Sequence, residues 1–408
     1  MSAILHVDAN NFFASVTIKN NLQLKGKPVI ICGDPDRRHG IVLAKSNEAK
    51  KLGIKTATTI GEAKKICKDL ICMPPDYAEY KKYSEKLYEI YKRYTPLVES
   101  FGMDECWLDV TGSTKLYGTP EEIANDIRET VKKELGITVS VGVSFTKTFA
   151  KLGSDMKKPD AVTVIDENNY KVKAWSLPVS DMIYVGDSVK KVLFENKIYT
   201  IGDLANTPIE KLSEICGKSG VKLHEYANGT DGEKVSAYND EYIPESISNG
   251  TTGEEDVTSN RSARALIYSL SELVAFRLRK YNLIAYGVSI NVKDASFRNE
   301  SKQTRLETPT ADANVIAQTA YNGIIKRFRV SEENPIRTII VGVYNLKDEN
   351  SVYRDMFAEE EEEKQSEINK RMDKLRDKYG FSILKRAIEL DDKFYGIKKK
   401  TKKEDNDN

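Results

Sequence analysis

Short apolar runs alternate with amphipathic stretches along residues 2–165. Residues 2–8 and 25–34 are runs of strand length, and the second is bounded by Gly-Lys-Pro and Gly-Asp turn signals. In residues 77–94 apolar and aromatic side chains recur near the period of a helix, and Pro96 ends that pattern because proline lacks a backbone N–H. The alternation predicts an α/β layer in which neighbouring strand ends can bring acidic groups together.

Turn and capping signals locate the other elements of this layer. Thr119, followed by Pro120 and Glu122, has the spacing of a helix start with a capping box. Strands are predicted at residues 97–103, 106–110, 137–144 and 161–165, and helices at 14–20, 120–135 and 146–156.

Beyond residue 177 the pattern changes. Residues 177–228 predict short helices separated by glycine turns, and residues 235–255 have the Gly-, Ser- and Asn-rich composition of a linker. A second α/β unit is predicted from about 246 to 346, with helices at 262–281 and 313–330 and strands at 285–292 and 336–344. The charged tail that follows has five consecutive glutamates, and its residues 358–374 predict a helix.

Composition narrows the class of protein. Of 408 residues, 40% are hydrophobic and 31% charged, and no window approaches the ~18 consecutive apolar residues of a membrane span. The N-terminus lacks the basic and apolar segments of a signal peptide, so secretion is not expected. Five scattered cysteines without a CxxC pair predict a reducing, cytoplasmic location, and three histidines argue against His-based hydrolysis.

Carboxylates occur at two predicted strand ends. Asp8 ends the first strand, and the Asp104-Glu105 pair lies at the bend between two later strands. If the fold brings the three together, they repel one another unless cations lie between them, and oxygen ligands suit Mg²⁺. From spacing alone the alternative stays open that Asp8 is a turn residue and the pair belongs to a solvated loop.

The segments around these carboxylates resemble the two acidic motifs of Y-family translesion DNA polymerases, in the bacterial polymerase IV and polymerase V branch. The two segments are HVDANNFFASV (residues 6–16) and SFGMDECWLDV (residues 100–110). Further family counterparts occur in the same order, so that the resemblance covers nearly residues 1–345. They are KGKPVII, SNEAKKLGIK, TVSVGVSFTKTFAKLGSDMKKP, YTIGDLA and SISNGTT.

The resemblance implies a multidomain right-hand polymerase of the α/β (α+β) class. It implies a ferredoxin-like palm at residues 1–20 and 76–170, fingers at 21–75, a helix-hairpin-helix thumb at 171–240, an α/β little finger at 241–346 and a C-terminal tail at 347–408. The implied function is low-fidelity, DNA-directed DNA synthesis past lesions in DNA repair and the SOS response, by nucleotidyl transfer with two Mg²⁺ ions. A catalytically inactive DNA- or replisome-binding homologue and a nucleotide cyclase are the alternatives.

The resemblance also assigns residues to the reaction. Asp8, Asp104 and Glu105 match the catalytic, metal-binding carboxylates, with the carbonyl of Ala9 as a further ligand. Phe13 matches the ring that leaves no room for a 2′-hydroxyl, which implies a preference for deoxynucleotides. The residues that match nucleotide contacts are Phe12, Phe13, Asn47, Lys50 and Lys158. Because Lys50 stands where many relatives have Arg, it offers a point charge without bidentate geometry.

DNA binding is expected despite a net charge of only +1, because counterion release depends on local contacts with phosphates. Residues 261–345 contain 13 Lys and Arg against 7 Asp and Glu, and they match the little finger. In the thumb, Gly186 and Gly202 lie at turns that resemble phosphate-binding hairpins, although Asp187 replaces the usual residue after the first glycine. The basic candidates are Arg261, Arg264, Arg298, Lys302 and Arg305, with Arg327 and Arg329 in the same group.

One short segment of the tail resembles the peptide by which bacterial polymerases bind the sliding clamp. In YRDMF, Met356 and Phe357 supply the two apolar anchors, while Tyr353 replaces the usual Gln. The alternative is a loop with two incidental apolar residues. The expected partners are thus primer–template DNA, a deoxynucleoside triphosphate and a sliding clamp, with no membrane and with the protein as a monomer.

Overall fold

A computed structural model describes residues 2–33, 40–237, 244–325, 328–351, 359–384 and 386. The chain divides into two compact units, Met1–Asp240 and Glu241–Asn408. Within the described ranges, no helix is both long enough and apolar enough to cross a membrane.

The first unit combines two sheets with a helical region. Its strands are β1 (Ile4–Ala9), β2 (Val29–Cys32), β3 (Val42–Lys45), β4 (Ile71–Met73), β5 (Val98–Ser100), β6 (Glu105–Asp109), β7 (Val139–Ser144) and β8 (Val162–Ile165). Its helices are α1 (Phe12–Asn20), α2 (Asn47–Lys51), α3 (Ile60–Ile66), α4 (Tyr77–Tyr91), α5 (Thr114–Tyr117), α6 (Pro120–Leu135), α7 (Lys147–Met156), α8 (Tyr170–Ala174), α9 (Asp187–Glu195), α10 (Ile201–Asn206), α11 (Ile209–Cys216) and α12 (Lys218–Asn228).

The larger sheet has the order β5-β6-β1-β7-β8, with β1 in the centre. Strand β1 is antiparallel to both neighbours, and the register places Asp8 directly opposite Glu105 on β6. All six residues of β1 are buried, so both faces of this strand are covered. The side chains of Asp8 and Glu105 therefore share one face of the sheet at the same strand end.

Different helices cover the two faces of this sheet. Leu5 and Val7 belong to a core with residues of α4 and α6, whereas the opposite face of β1 meets α7. Helix α6 begins with the predicted capping box, in which the Thr119 side chain accepts from the Glu122 N–H and Glu122 accepts from the Thr119 N–H. Local capping chemistry thus fixes the start of the helix that covers the apolar face.

Helix α7 lies unusually close to β7. A Cβ added at Gly142 would lie 1.8 Å from the carbonyl oxygen of Ala150, and one added at Gly153 would lie 3.2 Å from the Gly142 Cα. The two glycines therefore allow helix and sheet backbones to meet directly. This approach brings the polar residues of α7 up to the β1 face that carries Asp8.

The smaller sheet has the order β3-β2-β4, with β2 antiparallel to β3 and parallel to β4. Ser46 links this sheet to α2, because its Oγ accepts from the N–H groups of Ala49 and Val29 and donates to the carbonyl of Lys27. The start of α2 is thereby fixed relative to β2, which matters because Asn47 and Lys50 lie on this helix.

Helices α8–α12 enclose a separate core that includes Leu193, Ile201 and Leu223. The segment after α12 returns to the larger sheet, where Val235 is buried with Ile4 and Trp107. The linker predicted at residues 235–255 is therefore wrong at its start, because Val235 is a packed residue. The apolar side chain of a single valine in a polar stretch gave no periodic signal.

The second unit is one antiparallel sheet covered by helices. Its strands, in the order β11-β10-β12-β9, are β9 (Ser246–Val257), β10 (Leu283–Asp294), β11 (Asn299–Thr310) and β12 (Ile336–Asp348). Its helices are α13 (Asn260–Lys280), α14 (Ala313–Ala320), which continues as a π-helical turn at Tyr321–Ile325, and α15 (Glu359–Tyr379). Strand β9 occupies half of the predicted linker, and the polar edge strand β11 was not predicted at all.

Helix α15 packs on α13 through buried ion pairs. Arg279 binds Asp373 through two hydrogen bonds of 2.6 and 2.8 Å, and Arg376 Nη1 lies 2.9 Å from Glu272 Oε2. The side chains of Arg376 and Glu272 are 3% and 6% exposed, and Arg386 also pairs with Glu272. Part of the region predicted as a tail is thus attached to the second unit, through Asp373, Arg376 and Arg386.

We expect Gly142→Ala to destabilise the first unit strongly. The added methyl group meets a backbone carbonyl, which cannot rotate away as a side chain would, so β7 and α7 have to separate. Overpacking of this kind costs on the order of 1–3 kcal/mol in the free energy of unfolding, measurable by urea denaturation. The control is Gly61→Ala on α3, where an added Cβ has no neighbour within 4 Å. Equal stability of the two variants would contradict the close approach.

Candidate active site

The three predicted carboxylates lie together at one end of β1 and β6. Asp8 is 6% exposed, and Glu105 begins β6 directly opposite it. Asp104 precedes β6, and its carbonyl accepts a hydrogen bond of 3.0 Å from the Ala9 N–H. Backbone pairing, and not side-chain attraction, therefore gathers the carboxylates.

Burial and the proximity of the three carboxylates raise the pKa of two of them. Burial, together with the charges of Asp8 and Glu105, raises the pKa of Asp104 to about 6. Burial also raises the pKa of Asp8, although Lys158 opposes the shift. Each carboxylate makes ionisation of its neighbours less favourable, so the site has a deficit of positive charge.

Two lysines supply part of that positive charge. Lys158 Nζ lies 2.7 Å from Asp8 Oδ2 and 2.7 Å from Asp155 Oδ1. Lys151 Nζ lies 2.7 Å from Glu105 Oε2 and 3.4 Å from Asp8 Oδ2. Lys158 was predicted to contact the nucleotide, whereas Lys151 was missed.

His6, two residues before Asp8 on β1, contacts the Glu105 carboxylate. Its Nδ1 lies 2.8 Å from Ser154 Oγ, its Nε2 lies 3.4 Å from Glu105 Oε2, and its ring meets Trp107 edge-on at 5.2 Å. Burial lowers the pKa of His6, which favours the neutral ring. Burial alone would raise the pKa of Glu105, but its close contact with His6 and its ion pair with Lys151 outweigh burial and lower it.

Asn10 fixes the loop that carries Lys158. Its Oδ1 accepts from the Asp160 N–H at 2.9 Å and from Thr138 Oγ1 at 3.0 Å, and its Nδ2 donates to Ser140 Oγ. Asn10 is 5% exposed, so these bonds form away from water. The residue two positions after Asp8 therefore positions the lysine that reaches Asp8.

The donor set suits a hard divalent cation. Asp8, Asp104 and Glu105 offer only oxygen ligands, and Ala9 follows Asp8 at the strand end. Among the residues that the structure describes, no three acidic, His or Cys side chains are already arranged as a chelate. The ammonium groups of Lys151 and Lys158 lie where cations are needed, so the residues fit a metal ion that replaces part of these contacts.

The aromatic residues after Asp8 separate into a core ring and a surface ring. Phe12 is 2% exposed, and its ring lies in the main core. Phe13 is half-buried and stacks on Tyr80, with ring centroids 4.3 Å apart and planes 11° apart. Tyr77 meets the same ring edge-on at 5.9 Å. Phe13 is therefore held in one orientation from two sides.

The predicted nucleotide residues of α2 lie beside this loop. Asn11 has a left-handed conformation with φ of 49°, and its Nδ2 donates to Asn47 Oδ1 at 2.8 Å. Lys50 lies one turn further along α2, where its charge together with burial lowers the pKa of Lys45. Helix α1 begins at Phe12 without a side-chain cap, so its first N–H groups are available to an anion.

The two thumb glycines have different surroundings. Gly186 precedes α9 as its N-cap, and no side chain caps that helix end. Gly202 is buried in α10, and its N–H donates to the carbonyl of Trp175 at 2.9 Å. Gly202 therefore has no exposed amide for DNA, which corrects its predicted role. Its sequence signal came from a packing requirement, since an added Cβ would lie 3.0 Å from that carbonyl.

The basic candidates of the second unit have different local surroundings. Arg298 pairs with Asp294 at 2.9 Å at the turn between β10 and β11. Lys302 and Arg305 lie three residues apart on β11 and so project from opposite faces of the strand. Arg264 lies over the rings of Tyr268 and Tyr321. Arg261 lies in the first turn of α13, and Arg329 has a left-handed backbone conformation with a φ of 52°. Arg327 lies outside the described residues, as do Met356 and Phe357 of the predicted clamp-binding peptide.

The residues that sequence reasoning missed lie on one face of α7. Lys147, Lys151 and Ser154 recur at the spacing of a helix, and Lys151 and Ser154 contact Glu105 and His6. The signal was present in the predicted helix at 146–156, but lysines at this spacing are more often a solvated face. Only the close approach of α7 to the sheet turns that face toward the carboxylates.

Comparison with known proteins identifies relatives of nearly full length. The impB/mucB/samB family matches residues 7–155, and the C-terminal domain of that family matches residues 244–356. A DNA polymerase IV from Acetivibrio thermocellus is 46% identical over 96% of this chain and 98% of its own length. A DNA polymerase IV from Clostridium acetobutylicum is 36% identical over 95% of this chain and 98% of its own length.

The fold has a counterpart among solved structures. A Y-family DNA polymerase chimera superposes with a TM-score of 0.73, at 23% identity, over 84% of this chain and 98% of that one. This match confirms the predicted right-hand polymerase fold class. Together with the two family matches and the long alignments, it leads to one conclusion: the chain belongs to the impB/mucB/samB family, alongside the DNA polymerases IV that it resembles from end to end.

Proposed function

We propose that the chain is a DNA-directed DNA polymerase that extends primers past damaged template bases by two-metal nucleotidyl transfer. One observation carries the mechanism: three carboxylates converge at the end of β1 and β6, and one of them, Asp8, precedes the fixed ring of Phe13 by five residues. The relatives of nearly full length are DNA polymerases IV, so the family supports the same reaction. The reaction joins the primer 3′-oxygen to the α-phosphorus of a deoxynucleoside triphosphate and releases pyrophosphate.

Asp8, Asp104, Glu105 and the carbonyl of Ala9 would hold the divalent ions, which we take to be two Mg²⁺. When bound, such ions lower the pKa of the primer hydroxyl and stabilise the negative charge that develops on the phosphate. The protein contributes the fixed spacing, because backbone pairing of β1 with β6 places the ligands before any ion arrives. The raised pKa of Asp104 has the same origin as its ability to bind a cation, namely an excess of nearby negative charge.

The triphosphate would be bound on the opposite side of the site by cations and backbone amides. Lys158 lies at the rim, with its side chain 25% exposed, and can exchange its contact with Asp8 for a phosphate oxygen. The uncapped start of α1 offers N–H groups, and Lys50 and Asn47 border the same loop. These groups orient the phosphates so that the leaving pyrophosphate faces away from the primer.

Phe13 would exclude ribonucleotides. Stacking on Tyr80 and the edge contact with Tyr77 prevent the ring from turning aside to admit a 2′-hydroxyl. A ring held from two sides rejects an extra oxygen more strongly than a mobile ring, because relief of the clash would break both contacts.

DNA would be held mainly through its phosphates. The N-terminus of α9 at Gly186 presents backbone amides, and the exposed cations of β11, Lys302 and Arg305, add positive charge in the second unit. Arg261, Arg264 and Arg298 are further candidates for contacts with DNA phosphates.

We also propose that the palm comprises residues 1–20 and 76–170, the fingers residues 21–75, the thumb residues 171–240 and the little finger residues 241–346.

We further propose that the protein acts as a monomer in the cytoplasm and is recruited by a sliding clamp through Met356 and Phe357. The support is the sequence of the peptide, in which two apolar anchors follow a polar start.

Asp104→Asn should abolish primer extension while leaving the protein folded. The amide keeps the shape of the carboxylate but loses a charged metal ligand, so the extension rate should fall by at least about 100-fold. Because burial and the neighbouring carboxylates raise the pKa of Asp104 to about 6, its ionised form, which predominates at neutral pH, destabilises the folded state. The melting temperature in chelator should therefore stay constant or rise.

The matched control for that measurement is Asp109→Asn, at the other end of β6, which should extend primers at the wild-type rate. A wild-type chain that cannot extend a primer with Mg²⁺ and deoxynucleotides would end the polymerase proposal. Full activity of Asp104→Asn would remove the carboxylate from the mechanism.

Phe13→Ala should admit ribonucleotides. Removal of the ring opens the space beside the sugar, so the preference for deoxynucleotides, measured as a ratio of kcat/KM values, should fall by about 100-fold. Phe13→Tyr keeps the ring and its stacking on Tyr80, and it should keep the preference. An unchanged ratio in Phe13→Ala would show that another residue excludes the 2′-hydroxyl.

The double substitution Met356→Ala/Phe357→Ala should weaken binding to a bacterial sliding clamp. Loss of two buried apolar anchors typically costs more than 2 kcal/mol, which corresponds to at least about 30-fold in Kd. Surface plasmon resonance on the immobilised clamp measures the change, with Arg354→Ala as a control inside the same peptide. Equal affinity of the double variant and the wild type would dispose of this binding mode.

A further inference from the structure

Lys151 contacts the carboxylates from helix α7, which is packed closely against the sheet. Its side chain is 15% exposed, and its root is bracketed by Ala150 and Leu152, which are 0% and 3% exposed. The contact of Gly142 with the Ala150 carbonyl fixes the same turn of α7 against the sheet. The backbone that carries Lys151 is therefore fixed against the sheet.

The contacts of Lys151 resemble the coordination of a cation. Its Nζ lies 2.7 Å from Glu105 Oε2, 3.4 Å from Asp8 Oδ2 and 3.4 Å from Asp155 Oδ2. An ammonium group has three N–H donors, and three carboxylates surround this one. It joins the end of β1 to the end of β6 and both to α7.

Lys158 differs from Lys151 in its freedom to leave. It follows the end of α7, and its side chain is 25% exposed against 15% for Lys151. A phosphate can draw Lys158 away from Asp8, whereas Lys151 is less exposed and is held by three carboxylates, those of Glu105, Asp8 and Asp155. Lys158 can therefore leave the carboxylates when a phosphate arrives, whereas the positive charge of Lys151 stays beside them.

The charge of the site supports this division. Asp8, Asp104, Glu105 and Asp155 are four carboxylates, and Lys151 and Lys158 are two ammonium groups among them. A net charge of −2 remains, which one divalent cation would neutralise. Each fixed positive charge that stays in place repels an incoming metal ion at close range.

We propose that Lys151 is a positioning residue that holds Asp8 and Glu105 together in the metal-free protein and keeps the affinity for metal low until a nucleotide is bound. This inference rests on the metal-binding role proposed above for the carboxylates. Its consequence is that the triphosphate, which brings negative charge and attracts Lys158, makes the site favourable for metal. Lys151 itself takes no part in bond formation.

The test measures Mn²⁺ binding to the full-length, nucleotide-free protein by electron paramagnetic resonance. Lys151→Met keeps an unbranched chain of similar length but removes the charge, so Mn²⁺ should bind about 10- to 100-fold more tightly. In chelator the same variant should melt at a lower temperature than the wild type, and Mn²⁺ should raise its melting temperature more. Lys151→Arg, which keeps the charge, should bind Mn²⁺ with near wild-type affinity.

The control is Lys157→Met, an exposed lysine directly after α7, which should match the wild type in both measurements. Equal or weaker Mn²⁺ binding by Lys151→Met, with a wild type that does bind, would overturn the inference. Should Lys151→Met fail to fold in chelator, folding induced by Mn²⁺ supports the inference, and failure to fold even in millimolar Mn²⁺ contradicts it.

A separate arm tests the role on which the inference rests. Wild-type protein with a deoxynucleoside triphosphate should bind Mn²⁺ more tightly than protein and nucleotide measured apart, and Asp104→Asn should lose that gain. Absence of the gain in the wild type would refute the proposed metal site itself, whatever Lys151→Met does.

Discussion

Repulsion between carboxylates at the ends of two paired strands is the constraint on which the first unit depends. The register that buries β1 also forces Asp8 to face Glu105, so the sheet cannot form without placing these charges side by side. A fixed cation must then lie close to both, and Lys151 reaches them only because α7 approaches the sheet at Gly142. Gly142 therefore allows the close approach of the helix, and Lys151 supplies the positive charge that offsets the repulsion between the buried carboxylates.

The same short stretch of chain sets the distance between the Asp8 carboxylate and the Phe13 ring. After Asp8 the chain turns through Asn11, whose left-handed conformation starts α1 without a longer loop. Phe12 then enters the core and Phe13 remains at the surface, stacked on Tyr80 of α4. Because the core anchors the Phe12 ring and α4 holds the Phe13 ring, the spacing between Asp8 and Phe13 is a property of the packed interior.

Local chemistry could be predicted from the sequence, and long-range contacts could not. The strand that ends at Asp8 and the capping box at Thr119 have signals within a few residues, and both are present. Strand β11 was missed because its exposed sequence, NESKQTRLETPT, lacks alternating apolar residues, and it exists through pairing with β10. Lys151 was missed for the same reason, since a lysine on a helix becomes part of a site only through the face against which that helix packs.

Helix α7 also connects the site to the segment that leaves the helical region. One turn before Lys151, Lys147 lies 2.6 Å from Glu99 and 4.6 Å from the centre of the Trp107 ring, while the Trp107 Nε1 donates to its carbonyl. Glu99 in turn accepts from the Ser236 N–H at 2.9 Å. The strand that carries Glu105 is thus tied, through Trp107 and α7, to the start of the connection between the two units. A displacement of α7 would disturb both the carboxylates and this anchored segment, so the position of the helix couples the chemistry of the first unit to the chain that leads out of it.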